Sequence, residues 1–131
     1  MLPQVRVQCS AFTTNEGFAD VAFQPFDLSG RVVLITGGNG GIGLGMAKGL
    51  AESGAEVAIW GTNPEKNEAA QAALAHTNVR VTTQVCDVAD EAQVATCLAQ
   101  VLSEHGRVDG CFANAGMGGR GTGFDDMTRE E

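Results

Sequence analysis

The chain of 131 residues contains no tyrosine, only three prolines and few basic side chains. Eight lysines and arginines stand against 16 aspartates and glutamates, which gives a formal net charge of −8 at pH 7. A surface that binds nucleic acid needs a basic stripe to meet the phosphates, so we expect no nucleic-acid partner. An acidic chain can still hold a few phosphates, because backbone N–H groups and helix ends bind them without a net positive charge.

Long apolar runs are also missing. No stretch of about 18 consecutive apolar residues occurs, so the sequence predicts no membrane-spanning helix. Residues 1–22 lack the basic start and apolar block of a signal peptide, and they show no clear period. We expect a poorly ordered extension there and one domain over residues 23–131, since the length suits a single modest domain. Together these absences predict a cytoplasmic protein.

Cysteine is scarce, and its spacing is uninformative. None of the four cysteines forms a Cys-x-x-Cys pair, and neither histidine stands at metal-ligand spacing from them. We therefore expect no metal site. Cys86 and Cys111 fall in apolar strand-like runs and Cys97 falls on an apolar helical stripe, which favours reduced thiols in the core of a cytosolic protein.

Glycine, in contrast, is abundant, with 18 residues, and several of them follow one apolar run. Residues 32–35 are apolar and mostly β-branched, which is typical of a buried parallel strand. A glycine-rich turn follows at once, and then an amphipathic helix over residues 42–52. Strand, glycine-rich turn and helix is the arrangement that places a pyrophosphate on a helix N-terminus. A glycine-rich turn that binds nothing is the alternative.

Two glycine spacings fit this turn. Residues 38–43 match Gly-x-Gly-x-x-Gly, the general dinucleotide fingerprint, which is a weak signal in so glycine-rich a segment. Residues 36–43 match Thr-Gly-x-x-x-Gly-x-Gly, which is more specific because a threonine ends the strand. Glycines permit the tight turn and a close approach of the backbone to phosphate, and Gly43 lets the helix lie against the strand.

The rest of the chain alternates strands and helices. Further strands are predicted over residues 55–60, 79–85 and 108–114. Asn63 caps a predicted helix that runs to about residue 76, and Asp90 caps another that ends at Gly106. His76 and His105 fall in last helical turns, where we expect capping and surface roles.

This β-α-β-α-β-α-β order predicts an α/β fold. This alternation with short connections predicts a parallel sheet with helices on both faces, built from right-handed crossovers. The doubly wound parallel sheet of the Rossmann fold begins in this way, with strand order 3-2-1-4. We therefore expect the N-terminal half of a Rossmann fold.

Three motifs, in their order and spacing, resemble the short-chain dehydrogenase/reductase family. They are Thr-Gly-x-x-x-Gly-x-Gly at residues 36–43, Cys-Asp-Val at residues 86–88 and Ala-Asn-Ala-Gly at residues 113–116. The resemblance covers residues 27–131 and the N-terminal portion of the family. Each motif follows a predicted strand, and the carboxyl ends of such strands face the crevice in which these folds bind ligands.

The resemblance implies a nicotinamide dinucleotide, NAD(P), as cofactor. Backbone N–H groups of residues 39–42 would hold the pyrophosphate. Asp87 would accept a hydrogen bond from the adenine amino group, and Asn114 would border the ribose. The alternatives are a helix-leading carboxylate for Asp87 and a purely structural hydrogen bond for Asn114. Ala113 replaces the first residue of the family's Asn-Asn-Ala-Gly element. The expected cofactor-binding residues are Thr36, Gly37, Asn39, Gly41, Ile42, Gly43, Thr62, Asn63, Asp87, Val88, Asn114, Ala115 and Gly116.

The form of the cofactor depends on the residues after the second strand. An aspartate there would bind both ribose hydroxyls and repel a 2′-phosphate. Residues 60–63 contain neither an acid nor an arginine. Thr62 and Asn63 suit either form, and Lys66, one helical turn further on, could assist a phosphate. The sequence therefore favours NADP(H) slightly.

In the family, a tyrosine acid/base, a lysine in Tyr-x-x-x-Lys and a serine follow the fourth strand and assist hydride transfer. Because this chain has no tyrosine, we expect no catalytic residue in it. The expectation is an N-terminal fragment, inactive alone, of an oxidoreductase that transfers a hydride between nicotinamide and an alcohol or carbonyl substrate. The intact enzyme would be a homo-oligomer.

A non-catalytic dinucleotide-binding or scaffold protein is the alternative function. A P-loop nucleoside triphosphatase is not supported, because no Gly-Lys-Ser/Thr follows the glycine-rich loop.

Overall fold

The computed structural model describes residues 26–116, which form a parallel sheet with helices on both faces. The strands are β1 (Val32–Thr36), β2 (Glu56–Gly61), β3 (Val81–Val85) and β4 (Gly110–Phe112), and the helices are α1 (Gly41–Glu52), α2 (Pro64–Leu74) and α3 (Glu91–His105). The sheet order is β3-β2-β1-β4, and every pairing is parallel. The predicted α/β fold and its strand order are confirmed. The predicted extension, residues 1–22, lies outside the described residues.

Successive side chains of β1 and β2 point to opposite faces of the sheet, so each strand contributes to two cores. On one face Val33, Ile35 and Ile59 pack against α1 and α2. On the other face Leu34 and Trp60 pack against α3. Because both faces are covered, residues 32–35 of β1 and 57–60 of β2 are apolar rather than alternating, as the run of residues 32–35 predicted.

Two of the three helices begin with a side-chain cap, as the sequence predicts. The Asn63 side chain accepts a hydrogen bond from the N–H of Lys66 at 2.9 Å. The Asp90 carboxylate accepts from the N–H groups of Ala92 and Gln93. Hydrogen bonds from the Gln93 side chain and backbone lower the pKa of Asp90 below its usual value. Both caps fix where the connection ends and the helix starts.

The third and fourth strands are shorter than predicted. β3 begins at Val81 rather than at residue 79, because Asn78 adopts a left-handed conformation with φ +58° that turns the chain. β4 begins at Gly110 rather than at residue 108, because the Asp109 side chain accepts a hydrogen bond from the N–H of Val32 at 2.9 Å. At its other end, the N–H of Asn114 turns back to Phe112 O at 2.8 Å and ends the strand.

The sequence predicted a surface position for His105, and this prediction is wrong. The His105 side chain is fully buried. Its Nδ1 lies 2.7 Å from Glu56 Oε2 and its Nε2 lies 2.8 Å from Thr82 Oγ1. The imidazole thus ties the end of α3 to β2 and β3. His76 is exposed, as predicted, and its Nε2 lies 3.7 Å from Glu52 Oε1.

The cysteines also divide between core and surface. Cys86 and Cys97 are buried, as predicted, whereas Cys111 is exposed. Burial, reinforced by the neighbouring Cys97 thiol, raises the pKa of Cys86 to about 11. Cys111 is exposed because, among residues 26–116, β4 pairs with β1 alone and is the edge of the sheet.

The contact between Asp109 and β1 gives a testable pH dependence. The Val32 N–H and then the Arg107 guanidinium hold the pKa of Asp109 below its usual 3.8. A carboxyl group whose pKa is lower in the folded than in the unfolded chain stabilises the folded state at pH values above its unfolded pKa. This stabilisation disappears as the pH falls through the folded pKa. We expect Asp109→Asn to lower the melting temperature at pH 7 and to weaken the further loss of stability below about pH 4. Identical pH slopes in thermal melts of both proteins would contradict this assignment.

Candidate dinucleotide-binding site

A cleft of about 630 Å³ lies at the carboxyl ends of β1, β2 and β3, beside the segment that follows β4. Seven residues predicted from the sequence line it, namely Gly37, Asn39, Thr62, Asp87, Val88, Ala115 and Gly116. Four residues that were not predicted also line it, namely Trp60, Gly61, Cys86 and Ala89. The carboxyl ends of parallel strands are where open α/β sheets bind ligands, so this cleft is the candidate site.

The turn between β1 and α1 forms one wall of the cleft and requires glycine. Gly37 has φ +64° and Gly41 has φ +50°, in the left-handed region that side chains disfavour. The N–H of Gly37 donates to Trp60 O at 2.7 Å, which ties the turn to the end of β2. A Cβ at Gly37 would lie 3.2 Å from the Ala115 Cα. The turn is therefore fixed by its neighbours on two sides.

Gly43 brings the first turn of α1 against this wall. It is buried, and a Cβ at this position would lie 2.2 Å from Gly37 O and 2.6 Å from Asn114 Nδ2. No side chain fits at these distances, because the nearest obstacle is a backbone oxygen. Gly43 thus has the close-packing role that the sequence predicted, and the start of α1 is held beside the glycine-rich turn.

The N-terminus of α1 differs from those of α2 and α3. Gly40, its N-cap, is extended, and no side chain in residues 26–116 caps the helix. The first turn contains no acidic residue, and Ile42 is 76% exposed. The first N–H groups of a helix lack partners within the helix and carry a partial positive charge. The N–H groups at the start of α1 are therefore available to bind an anion, because no side chain of the described segment occupies them.

The end of β4 is fastened to the end of β1. Asn114 Nδ2 donates to Thr36 O at 3.1 Å and lies 3.4 Å from Gly37 O. The N–H of Ala115 donates to Thr36 Oγ1 at 3.0 Å, and that hydroxyl lies 3.4 Å from Phe112 O. The side chains of Thr36 and Asn114 thus position the backbone of the turn and of residues 115–116. Neither side chain lines the cleft.

Asp87 lies at the rim of the cleft, two residues after the end of β3. Its Oδ1 accepts from the N–H of Ala89 at 2.9 Å, and its own N–H donates to Gln93 Oε1 at 3.0 Å. The side chain is exposed. The bond to Oδ1 fixes the orientation of the carboxylate. Because Oδ2 makes no hydrogen bond to any described residue, it remains an acceptor for a ligand amino group.

The remaining predicted residues lie next to the cleft rather than along its wall. Gly41, Ile42 and Gly43 form the first turn of α1. The Asn63 side chain is the cap of α2, so its oxygen is already bonded to the N–H of Lys66. In residues 26–116 no group of three histidine, cysteine, aspartate or glutamate side chains could hold a metal ion. No helix in that part of the chain is long and apolar enough to cross a membrane.

Sequence reasoning missed Asn67, which is buried on α2. Its Nδ2 donates to Gly61 O at 3.1 Å and to Gln84 O at 3.0 Å, and its Oδ1 accepts from Asn39 Nδ2 at 2.7 Å. One signal was present, since residues 67, 70 and 74 share the buried stripe of α2 and only the first is polar. A polar residue on such a stripe indicates a specific buried partner.

Trp60 and Gln84 form a second buried polar contact beside the cleft. Trp60 Nε1 donates to Gln84 Oε1, which fixes the orientation of the glutamine amide. Both side chains are buried, with 3% and 8% of their surfaces exposed. Gln84 Nε2 has no hydrogen-bond partner among the described residues. Trp60 therefore has a fixed ring in the cleft wall, and it is the only tryptophan of the chain.

These features fit a dinucleotide at the cleft. Gly43 has no room for a Cβ, the start of α1 has no side-chain cap, and the rim offers a carboxylate acceptor. The backbone can approach a pyrophosphate closely at the glycine-rich turn, and the helix N-terminus favours its negative charge.

Comparisons with known proteins agree with this geometry. The chain is 41% identical over 103 residues to levodione reductase of Leifsonia aquatica, which covers 77% of this chain and 39% of that protein. The crystal structure of NAD⁺-bound xylitol dehydrogenase superposes with a TM-score of 0.67 at 38% identity, covering 68% of this chain and 34% of that one. L-sorbose reductase from Gluconobacter frateurii, complexed with NADPH and L-sorbose, gives a TM-score of 0.72 at 32% identity, covering 80% and 40%.

The chain spans 36–39% of the length of the first curated relatives that it matches. The family model for the short chain dehydrogenases matches residues 31–131, which include β1, the glycine-rich turn and the segment after β4. Because this match covers most of the chain, and the strand order β3-β2-β1-β4 is that of the predicted Rossmann fold, the chain belongs to the short-chain dehydrogenase family.

Proposed function

We propose that this chain is the NAD(P)-binding portion of an oxidoreductase that transfers a hydride between nicotinamide and an alcohol or carbonyl substrate. The observation that carries the proposal is the uncapped, glycine-bounded start of α1 beside a cleft at the carboxyl ends of the strands. The family to which the chain belongs consists of dehydrogenases and reductases, as the relatives' names indicate.

On this proposal each wall of the cleft binds one part of the cofactor. The N–H groups of residues 39–42 hold the pyrophosphate. The Asp87 carboxylate accepts a hydrogen bond from the adenine amino group beside the Val88 backbone. The backbone of residues 114–116 borders the ribose, held in place by Thr36. The nicotinamide supplies or accepts the hydride when the cofactor is bound.

We propose NADP(H) as the preferred form. An acidic side chain at the end of β2 would repel a 2′-phosphate, and residues 60–63 contain none. Thr62 and Lys66 are both exposed near this end of the sheet, where they can approach a phosphate. The solved relatives include both an NAD⁺ complex and an NADPH complex, so family membership is compatible with either form.

We further propose that these 131 residues bind the cofactor without turning it over, because they contain no tyrosine to donate the proton. The same absence favours the second candidate function, a dinucleotide-binding protein without catalysis. A nicotinamide absorbance assay on the full-length protein, across a panel of alcohols and ketones, separates the two. Turnover of any substrate supports the oxidoreductase, whereas cofactor binding without turnover supports the second candidate.

Trp60 provides a direct test of cofactor binding. Its indole is the only one in the chain and lies in the cleft wall. We expect NADPH to quench Trp60 emission saturably and to gain nicotinamide emission by energy transfer from the indole. Fluorescence titration of the full chain measures both signals. Trp60→Phe should abolish the energy transfer, which controls for free cofactor. No saturable quenching by NADPH or NADH would contradict the proposed function.

A further inference from the structure

The geometry points to an additional residue of this site, Asn67, which lies behind the cleft wall. We propose that Asn67 is a positioning residue that holds the Asn39 side chain in the place where an acidic group at the end of β2 would lie, and thereby admits a 2′-phosphate. This inference deepens the proposed function and rests on it.

The orientation of both amides follows from backbone groups. Asn67 Nδ2 donates to two carbonyl oxygens, Gly61 O at 3.1 Å and Gln84 O at 3.0 Å. A flipped amide would place its oxygen against both carbonyls, so Asn67 Oδ1 has to point the other way. That oxygen accepts from Asn39 Nδ2 at 2.7 Å. The ends of β2 and β3 thus dictate which atom of Asn39 faces α2.

The Asn39 side chain occupies the space beside Gly61. A Cβ at Gly61 would lie 2.1 Å from Asn39 Nδ2 and 2.6 Å from Asn67 Oδ1. Gly61 is the last residue of β2 and follows Gly43 by about 20 residues, which is the spacing at which dinucleotide folds place an acid for the ribose hydroxyls. While Asn67 holds Asn39, no side chain fits at that position.

Asn39 is neutral, and it lines the same cleft as Thr62. One N–H of its amide is bonded to Asn67, which leaves the second N–H and the oxygen for a ligand. A neutral donor in the same cleft as the Thr62 hydroxyl can bind a phosphate oxygen that a carboxylate would repel. The two asparagines therefore place a neutral hydrogen-bond donor, the Asn39 amide, where a carboxylate would repel the 2′-phosphate.

The test compares dissociation constants for NADPH and NADH in Asn67→Leu, measured on the full chain by Trp60 fluorescence. Leucine cannot hold Asn39, so we expect the preference to move toward NADH by about tenfold, the size of one hydrogen bond to a charged group. Gln71→Leu is the matched control, because Gln71 also lies on α2 and donates to a β3 carbonyl, Val81 O, without touching Asn39. The control should leave the preference unchanged.

A second variant covers the case in which Asn67→Leu unfolds. The double substitution Asn39→Gly with Gly61→Asp supplies the acid and removes the side chain that lies nearest to its Cβ. Asn67 Oδ1, 2.6 Å from that Cβ and no longer bonded to Asn39, then has to shift. We expect it to prefer NADH by at least tenfold, whereas Gly61→Asp alone should bind both forms poorly because its Cβ meets Asn39. An equal loss of NADPH and NADH affinity in Asn67→Leu, or an unchanged preference in the double variant, would overturn the inference while leaving the proposed function intact. A wild-type chain that binds neither cofactor would overturn both.

Discussion

Replacing Gly43 by alanine is expected to abolish dinucleotide binding. The added Cβ would lie 2.2 Å from Gly37 O, a backbone atom that cannot rotate away, and 2.6 Å from Asn114 Nδ2. To relieve this clash, the start of α1 has to move away from the turn. That movement displaces the N–H groups that hold the pyrophosphate. We expect a loss of at least a hundredfold in affinity and a destabilisation of about 1–3 kcal/mol from overpacking. Trp60 fluorescence and urea unfolding measure the two effects.

Gly45→Ala is the matched control for this substitution. Gly45 lies on the same helix, two residues further on, and a Cβ there would meet nothing within 4 Å. Alanine is the better helix former, so this variant should gain about 0.5–1 kcal/mol and bind cofactor unchanged. If Gly43→Ala behaved in the same way as this control, the close approach of α1 to the turn would have no role in binding.

Placing an acid at Ile42 is expected to separate binding from stability. Ile42 is 76% exposed in the first turn of α1, so its side chain contributes little to the core. A glutamate there interacts favourably with the positive end of the helix dipole, so the fold should be unchanged or more stable by about 0.3–1 kcal/mol. The same carboxylate repels the pyrophosphate at close range, and we expect affinity to fall about ten- to a hundredfold.

The neutral control is Ile42→Gln, which has the same length as glutamate without its charge. It should bind NADPH within about threefold of the wild type, since the backbone N–H groups are unaltered. Added salt should weaken the glutamate effect because the start of α1 is exposed. Equal affinities for the glutamate and glutamine variants would show that no anion binds at this helix end.

The apolar periods and the turn residues were enough to predict the architecture. Both faces of β1 are covered by helices, which is why residues 32–35 are all apolar and could be recognised as a central parallel strand. The caps Asn63 and Asp90 were recognised because their hydrogen bonds are local, to residues three positions away or fewer. Hydrogen bonds between residues that are close in the chain can be predicted from a single sequence.

Contacts between distant residues explain what was missed. Asn67 meets Asn39 across 28 residues, and His105 meets Glu56 across 49. The start of β4 was misplaced because the Asp109 side chain, 77 residues from Val32, takes the hydrogen bond that a longer strand would make. A polar residue on a buried stripe, such as Asn67 on α2, can be noticed in the sequence, but nothing periodic identifies its distant partner, which emerges only from the folded chain.

The central claim, that the start of α1 binds the cofactor pyrophosphate, is tested most directly by amide spectra. Proton–nitrogen correlation spectra of the isotope-labelled chain, recorded during titration with NADPH, resolve each backbone N–H. We expect the largest shifts at residues 39–43, smaller ones at Asp87 and Val88, and none at His105, which lies at the other end of the sheet. Saturable binding of NADPH with unmoved resonances at residues 39–43 would contradict it.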